Sequence, residues 1–118
     1  MLAVRDHTGA QLDAAKLFDL DLGGKVFRNA HMRGADLTGA ILVGCNFEGA
    51  DLRYADFSNA DCQAANFSAA AFNITKFHGT RLAGALIEGA SGSTVPTSEP
   101  RLVAQAYHPK SVVLDMER

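Results

Sequence analysis

The chain has 118 residues, of which 47% are hydrophobic and 20% are charged, and its formal net charge is −2. This balance argues against a nucleic-acid-binding protein, which would carry a basic stripe, and the length fits one small domain with a tail. No stretch approaches the roughly 18 consecutive apolar residues of a membrane span, and the N-terminus lacks the apolar run of a targeting segment. We therefore expect no membrane contact and a cytoplasmic location, or the host cytoplasm or a virion if the gene is viral.

The first predicted element, residues 1–9, contains a degenerate copy of a five-residue word. The word is clearest in ADLRYADFSN at 50–59, where Ala, Asp and a large apolar residue precede two variable positions. RDHTG at 5–9 keeps Asp6, Thr8 and Gly9 at their usual positions in the word, but His7 occupies the centre and Arg5 replaces Ala. We predict that this segment is an N-terminal cap or a degenerate leading rung.

The second element, residues 10–89, consists of sixteen such words without an insertion. Steps of five along it reach these word centres: Leu12, Leu17, Leu22, Phe27, Met32, Leu37, Leu42, Phe47, Leu52, Phe57, Cys62, Phe67, Phe72, Phe77, Leu82 and Ile87. A period of five fits neither a helix nor a strand, so it indicates a coiled solenoid. If four words make one coil, each residue lies above the residue twenty positions away, about 4.8 Å along the axis.

This stacking predicts columns of buried centres, one of them rich in phenylalanine (Phe27, Phe47, Phe67 and Ile87). Small residues two places before each centre would form the corners, and glycine in the last word position suits turns with positive φ. Asp or Asn before the centre can accept a hydrogen bond from a turn amide. The looser words KVFRN at 25–29 and TKFHG at 75–79 are expected to distort the coil.

Words such as ADLTG at 35–39 and ANFSA at 65–69 resemble the consensus of the pentapeptide-repeat family. The resemblance implies an all-β fold, a right-handed quadrilateral β-helix of about four coils. The best-known members, the quinolone-resistance proteins, imply a further possibility, a DNA mimic that binds topoisomerases such as gyrase. However, residues 10–89 carry nine acids and seven bases, far below the density of one charge per about 1.7 Å in duplex DNA.

The array is followed by residues 90–100, ASGSTVPTSEP, which have the composition of a linker. Residues 101–118 form a C-terminal tail. We predict that the tail caps the last coil or serves as an arm that docks on a partner or a second copy, with disorder as a third possibility.

The sequence contains no pattern that predicts a catalytic, cofactor or metal site. Cys45 and Cys62 occupy inward positions without a CxxC pair or a histidine cluster, so we expect neither a disulfide nor a metal. The four histidines, His7, His31, His78 and His108, are predicted to be ordinary surface residues. A packed rod with flat sides lacks the concave pocket that catalysis needs, and we expect no enzymatic activity.

Apolar residues at outward positions form the candidate interface instead. Its members are Ile41, Val43, Tyr54, Ile74 and Leu86 in the array and Leu102, Val103, Tyr107, Val112, Val113 and Leu114 in the tail. Phe18 and Val26 also stand at outward positions. We predict a non-enzymatic protein–protein interaction or scaffold module that binds an unidentified protein or itself, through an open coil end or the tail. A gyrase-binding DNA mimic and a structural subunit of a larger assembly such as a viral particle are the alternatives.

Overall fold

The protein is described by a computed structural model over residues 4–93 and 112–113. From Asp6 to Ser91 the backbone coils so that each turn lies against the next through parallel bridges between residues twenty positions apart. A bridge recurs every five residues, and a coil therefore has four sides. The predicted period and stacking are confirmed, although over residues 4–91 the coils are joined by single-residue bridges and not by extended strands. We call this coiled array the rod.

We number the four sides of the rod by the word centres that they carry. The first side has His7, Phe27, Phe47, Phe67 and Ile87, and the second has Leu12, Met32, Leu52 and Phe72. The third has Leu17, Leu37, Phe57 and Phe77, and the fourth has Leu22, Leu42, Cys62 and Leu82. All of these side chains are buried, so the word centres fill the interior as the repeat predicts.

Four kinds of backbone hydrogen bond recur along the rod, three between neighbouring coils and one within a turn. In one of them the N–H of Gly49 donates to the carbonyl of Ser68 in the next coil (2.9 Å). The N–H of Phe47 donates to the carbonyl of Asn66 in the next coil (2.7 Å), and the N–H of Asn66 donates back to the carbonyl of Cys45 (2.9 Å). The N–H of Ala50 closes the turn on the carbonyl of Phe47 (3.0 Å). Each inner coil thus has its backbone polar groups satisfied by the coils on either side.

The corners of the rod use a left-handed backbone. All seventeen last word positions from Gly9 to Gly89 have φ between +53° and +74°, and eight of them hold a residue other than glycine. The predicted positive φ is confirmed, but glycine is not required everywhere. At Gly49 a Cβ would overlap the Oδ1 atom of Asn29 in the coil before, so a larger residue there needs the Asn29 side chain to move.

The Asp and Asn residues before the word centres stabilise the turns, as predicted. Asp56 Oδ1 accepts a hydrogen bond from the Ser58 amide (2.9 Å), and Asn66 Oδ1 accepts one from the Ser68 amide (2.9 Å). The same contact recurs at Asp6, Asp21, Asp36, Asn46, Asp51 and Asp61. These oxygens replace a backbone acceptor in the turn, which explains why the word prefers Asp or Asn there.

The two looser words behave differently. Lys25 keeps the regular turn bond to the carbonyl of Leu22 (3.1 Å), and its Nζ donates to the carbonyl of Val4 (3.0 Å). At the second word the buried Thr75 hydroxyl donates to the carbonyl of Leu52 (2.8 Å) and accepts from the Asn73 amide (3.2 Å). The predicted distortion is therefore found next to Thr75, whereas the turn at Lys25 is regular.

The N-terminal segment begins the coil. Asp6 bridges Val26, and His7 is only 8% exposed because it takes the inward position of a word centre. Its ring stacks on Phe27 with centroids 5.3 Å apart. The prediction of a surface histidine is thus wrong for His7, whereas His31 and His78 are exposed and His108 lies outside the described residues.

At the other end the coil continues past Gly89 into the predicted linker. Ala90 is buried, and the Ser91 amide donates to the carbonyl of Ala70 (3.0 Å). Strand β1, Gly92–Ser93, then pairs in parallel with strand β2, Val112–Val113, again at a step of twenty residues. The rest of the predicted linker and tail, including Leu102, Val103, Tyr107 and Leu114, lies outside the described residues.

Candidate functional site

The interior of the rod is occupied by stacked aromatic rings. Phe27, Phe47 and Phe67 lie 5.3 and 5.2 Å apart with nearly parallel planes, and Phe57 stacks on Phe77 at 5.2 Å. The two columns meet edge to face, with Phe57 5.7 Å from Phe47 and 5.5 Å from Phe67. These side chains fill the space between the sides, so the candidate sites lie on the outer surface.

Both cysteines belong to this packed interior. Cys45 and Cys62 are buried and free, and the Cys45 Sγ donates to the carbonyl of Leu22 (3.0 Å). Burial raises the pKa of Cys45 to about 11 and the pKa of Cys62 well above its ordinary value. Within residues 4–93 and 112–113 there is no group of three His, Cys, Asp or Glu residues that could hold a metal ion.

The fourth side carries an apolar pair that we call the fourth-side patch, Ile41 and Val43. They are 45% and 40% exposed, and they flank Leu42, which is fully buried. Bridges place Asp21 below Ile41 and Asp61 above it. The patch is thus an apolar spot with acidic residues in the neighbouring coils.

A second apolar pair, the corner ridge, consists of Tyr54 and Ile74, which are 52% and 49% exposed. They occupy equivalent corners of successive coils, and Asn73 Nδ2 donates to the Tyr54 hydroxyl (3.0 Å). Ile74 has φ of +53°, a conformation that is strained for a β-branched side chain. The surrounding coil therefore imposes an unfavourable backbone conformation on one member of the ridge.

The structure does not join these candidate residues into one surface. The fourth-side patch and the corner ridge lie on different parts of the rod, and Leu86 is exposed on the first side. Val26, expected on the outside, is half-buried. Leu20 is 38% exposed although its position in the word is normally inward. The one sequence signal for this exposure is its size, because most words have alanine at that position.

Most charged side chains on the second side are paired. Arg53 contacts Asp51 through two hydrogen bonds of 2.8 and 2.7 Å, and Arg33 lies 3.8 Å from both Asp13 and Asp51. The bond from Arg53 lowers the pKa of Asp51. Further pairs join Arg28 to Glu48 (3.3 Å) and Arg81 to Asp61 (3.8 Å).

The acids of the third side are bracketed by bases. Bridges run from Lys16 to Asp36, from Asp36 to Asp56 and from Asp56 to Lys76. Asp36 accepts hydrogen bonds from the Thr38 hydroxyl (2.7 Å) and amide (3.1 Å), which lower its pKa. Its carboxylate is thus part of a turn, and the stacked acids on this side are limited to Asp36 and Asp56 between the two lysines.

The described part of the chain contains no helix that is long and apolar enough to span a bilayer.

The repeat array matches a known family model. The model described as pentapeptide repeats matches in eight copies, over residues 10–49, 30–68 and 50–89. These ranges cover the array and more than half of the chain. The chain therefore belongs to the pentapeptide-repeat family, as its words indicate.

Several solved structures are similar to this chain. A pentapeptide repeat protein from the thylakoid lumen of Arabidopsis thaliana is 29% identical over 75% of this chain and 63% of its own, with a TM-score of 0.41. One from the cyanobacterium Cyanothece 51142 is 30% identical over 75% of this chain and 59% of its own, with a TM-score of 0.41. QnrB1, a plasmid-mediated fluoroquinolone resistance protein, is 18% identical over 93% of this chain and 79% of its own, with a TM-score of 0.36. This chain thus spans less than two thirds of the first two proteins, and no curated protein matches it.

Proposed function

We propose that this chain is a non-enzymatic protein–protein interaction or scaffold module built on a right-handed, four-sided β-helical rod. The observation that carries the proposal is the exposure of Ile41 and Val43 on either side of the buried Leu42. Apolar residues at the centre of a patch with polar residues around it are typical of a protein interface. The expected partner is a protein that presents an apolar side chain to the fourth-side patch. The expected compartment is the cytoplasm, because both cysteines are free thiols and disulfides are rare there.

The backbone beneath the patch is rigid, which favours recognition. The Ile41 amide donates to the carbonyl of Leu20 (2.8 Å) in one neighbouring coil, and the Leu42 amide donates to the carbonyl of Asp61 (2.7 Å) in the other. A surface that is already ordered loses little conformational entropy when a partner binds. A small apolar patch on a flat side of the rod can therefore bind a partner at a low entropic cost.

The non-enzymatic part of the proposal rests on how the chain uses its reactive groups. The carboxylates before the word centres accept turn hydrogen bonds, as Asp36 and Asp56 do. The two thiols are buried, and burial raises the pKa of both. These groups serve the fold, and a buried thiol of raised pKa is a poor nucleophile.

The alternative of a gyrase-binding DNA mimic is less well supported. Such a mimic needs acidic columns that approach the charge density of a duplex. On the third side Lys16 and Lys76 bracket the two stacked acids, and on the second side Arg33 and Arg53 pair with Asp51. A supercoiling assay tests this alternative, which would be favoured by inhibition of gyrase at a low molar ratio. A structural role in a larger assembly would use the same outer surfaces as the interaction module.

The proposal is tested by affinity capture with matched variants. Ile41→Lys and Val43→Lys each place a charge in the fourth-side patch. Ala71→Lys and Ser58→Lys place the same charge at equivalent word positions on the second and third sides. We expect proteins that bind the natural chain and both control variants but are lost from both patch variants. Identical captured sets for all four variants would refute the role of the patch.

A further inference from the structure

The first coil leaves a backbone edge open on the second and third sides. Inside the rod the N–H before a word centre donates to the coil below, as from His31 to the carbonyl of Ala10 (2.9 Å). The carbonyls of the residues before and after the centre accept hydrogen bonds from N–H groups of the coil below, as the carbonyl of Arg33 does from the N–H of Ala14 (2.7 Å). Among the described residues, the equivalent N–H groups of Gln11 and Lys16 have no partner.

The carbonyls on this edge are open as well. Those of Gln11, Asp13, Lys16 and Phe18 accept no hydrogen bond from the described residues. We call residues 10–19 the N-terminal edge. The leucines within it, Leu12 and Leu17, are already buried, so the edge offers backbone groups and outward side chains and not an open apolar interior.

The outward side chains of this edge are exposed and differ in character. Gln11, Asp13 and Lys16 are exposed, and the Phe18 ring is 48% exposed. The corner between the two sides consists of Ala14 and Ala15. Two small residues at the corner allow another backbone to approach closely there.

We propose that two copies of this chain pair through their N-terminal edges, antiparallel, about a two-fold axis that passes between Ala14 and Ala15. In this arrangement the N–H of Gln11 faces the carbonyl of the partner's Phe18. The N–H of Lys16 faces the carbonyl of the partner's Asp13. Each open donor thus meets an open acceptor, and the two-fold axis repeats both contacts.

The charges select this alignment of the two edges. Asp13 stands opposite the partner's Lys16, and opposite charges that face each other across paired strands are stabilising. A shift by one word in one direction would set Asp13 opposite the partner's Asp21, with like charges facing. A shift in the other direction would set Lys16 opposite the partner's Thr8, without an ion pair. Asp13 also has partners within its own chain, because its carboxylate accepts from the Arg33 amide (2.8 Å) and lies 3.8 Å from the Arg33 guanidinium, but its side chain is 44% exposed.

This surface is separate from the fourth-side patch, so the dimer does not depend on the proposed function. Charged side chains on an open strand edge often prevent pairing with a second edge. Here two of the three charged residues, Asp13 and Lys16, are of opposite sign and lie symmetrically on either side of the proposed axis, and the third, Asp19, lies opposite the partner's Ala10. The same residues therefore make the edge complementary to its own copy.

Sedimentation equilibrium of the full chain, from micromolar to millimolar concentration, tests the proposal. We expect a monomer–dimer equilibrium in which Lys16→Asp and Asp13→Lys each raise the dissociation constant about tenfold. Lys76→Asp makes the same charge change on the third side, away from the edge, and we expect it to leave the equilibrium unchanged. Circular dichroism of all variants verifies that each one is folded.

A mixture of the two edge variants provides the decisive measurement. The Lys16→Asp copy presents two acids and the Asp13→Lys copy presents two bases, so a mixed pair again opposes unlike charges at both positions. We expect a heterodimer about as tight as the natural dimer. The proposal is overturned if the natural chain remains monomeric, if Lys16→Asp dimerises as well as the natural chain, or if the mixture does not restore pairing.

Discussion

Replacement of Phe47 by alanine is expected to remove a large part of the stability of the rod. Phe47 is fully buried, stacks on Phe27 and Phe67 at 5.3 and 5.2 Å, and meets the edge of Phe57 at 5.7 Å. A buried Phe→Ala change costs about 3–5 kcal/mol, and aromatic pairs add about 0.5–1.5 kcal/mol each beyond their buried area. Because the cost of a Phe→Ala change already includes the lost ring contacts, we expect a loss at the upper end of that range, about 5 kcal/mol, against a total of about 5–15 kcal/mol for a typical domain.

Urea unfolding followed by circular dichroism measures this loss, and two variants serve as controls. Phe47→Leu keeps an apolar side chain of the type found at many other word centres. We expect this change to cost about 1–2 kcal/mol. Phe18→Ala removes the same ring where it is 48% exposed, at a cost of about 1 kcal/mol or less. Equal losses for the two alanine variants would refute the argument that stacked interior rings hold the coils together. A Phe47→Leu loss as large as that of Phe47→Ala would show that ring stacking matters more than apolar volume.

Three further predictions concern the corners, the thiols and the turn carboxylates. Ile74→Gly should be more stable than Ile74→Ala by about 0.5–1 kcal/mol in urea unfolding, because both remove the side chain but only glycine relieves the φ of +53° at a smaller entropic cost, and the reverse order would contradict the strain. Cys45 and Cys62 should resist a thiol reagent at mildly alkaline pH until the chain is unfolded, since burial raises the pKa of both, and rapid labelling of the folded chain would show that the interior opens. The Thr38 hydroxyl lowers the pKa of Asp36 from its ordinary value of 3.8. The ionised carboxylate therefore contributes to folding stability above pH 3.8, and this contribution is lost as the pH falls from there through the lowered pKa of the folded chain. The stability difference between the natural chain and Asp36→Asn should accordingly disappear in acid, and a difference that persists there would contradict this sign.

Much of the rod could be predicted because one word implies one local geometry. The step of five that makes Phe47 and Leu42 inward centres also turns Ile41 and Val43 outward, so burial and exposure follow from the same pattern. The positive φ of the corners follows from the recurring last position of the word.

Two residues depart from what their type or their word position suggests. His7 is buried because the coil places it on Phe27, although histidine is usually a surface residue. Leu20 is exposed although its word position is inward. At both sites the coils nearby override what the residue type or the word suggests.

The sequence by itself determined the twenty-residue coil, the four columns and the family, because a short repeated word imposes the same turn each time and stacks like residues. The tertiary structure decided which acids are neutralised, since Arg33 and Asp51 meet only when coils stack. It also decided how the array ends. The coil continues to Ser91, and Gly92–Ser93 pairs with Val112–Val113. Those residues carry no repeated word, and their place depends on contacts between segments that are distant along the chain.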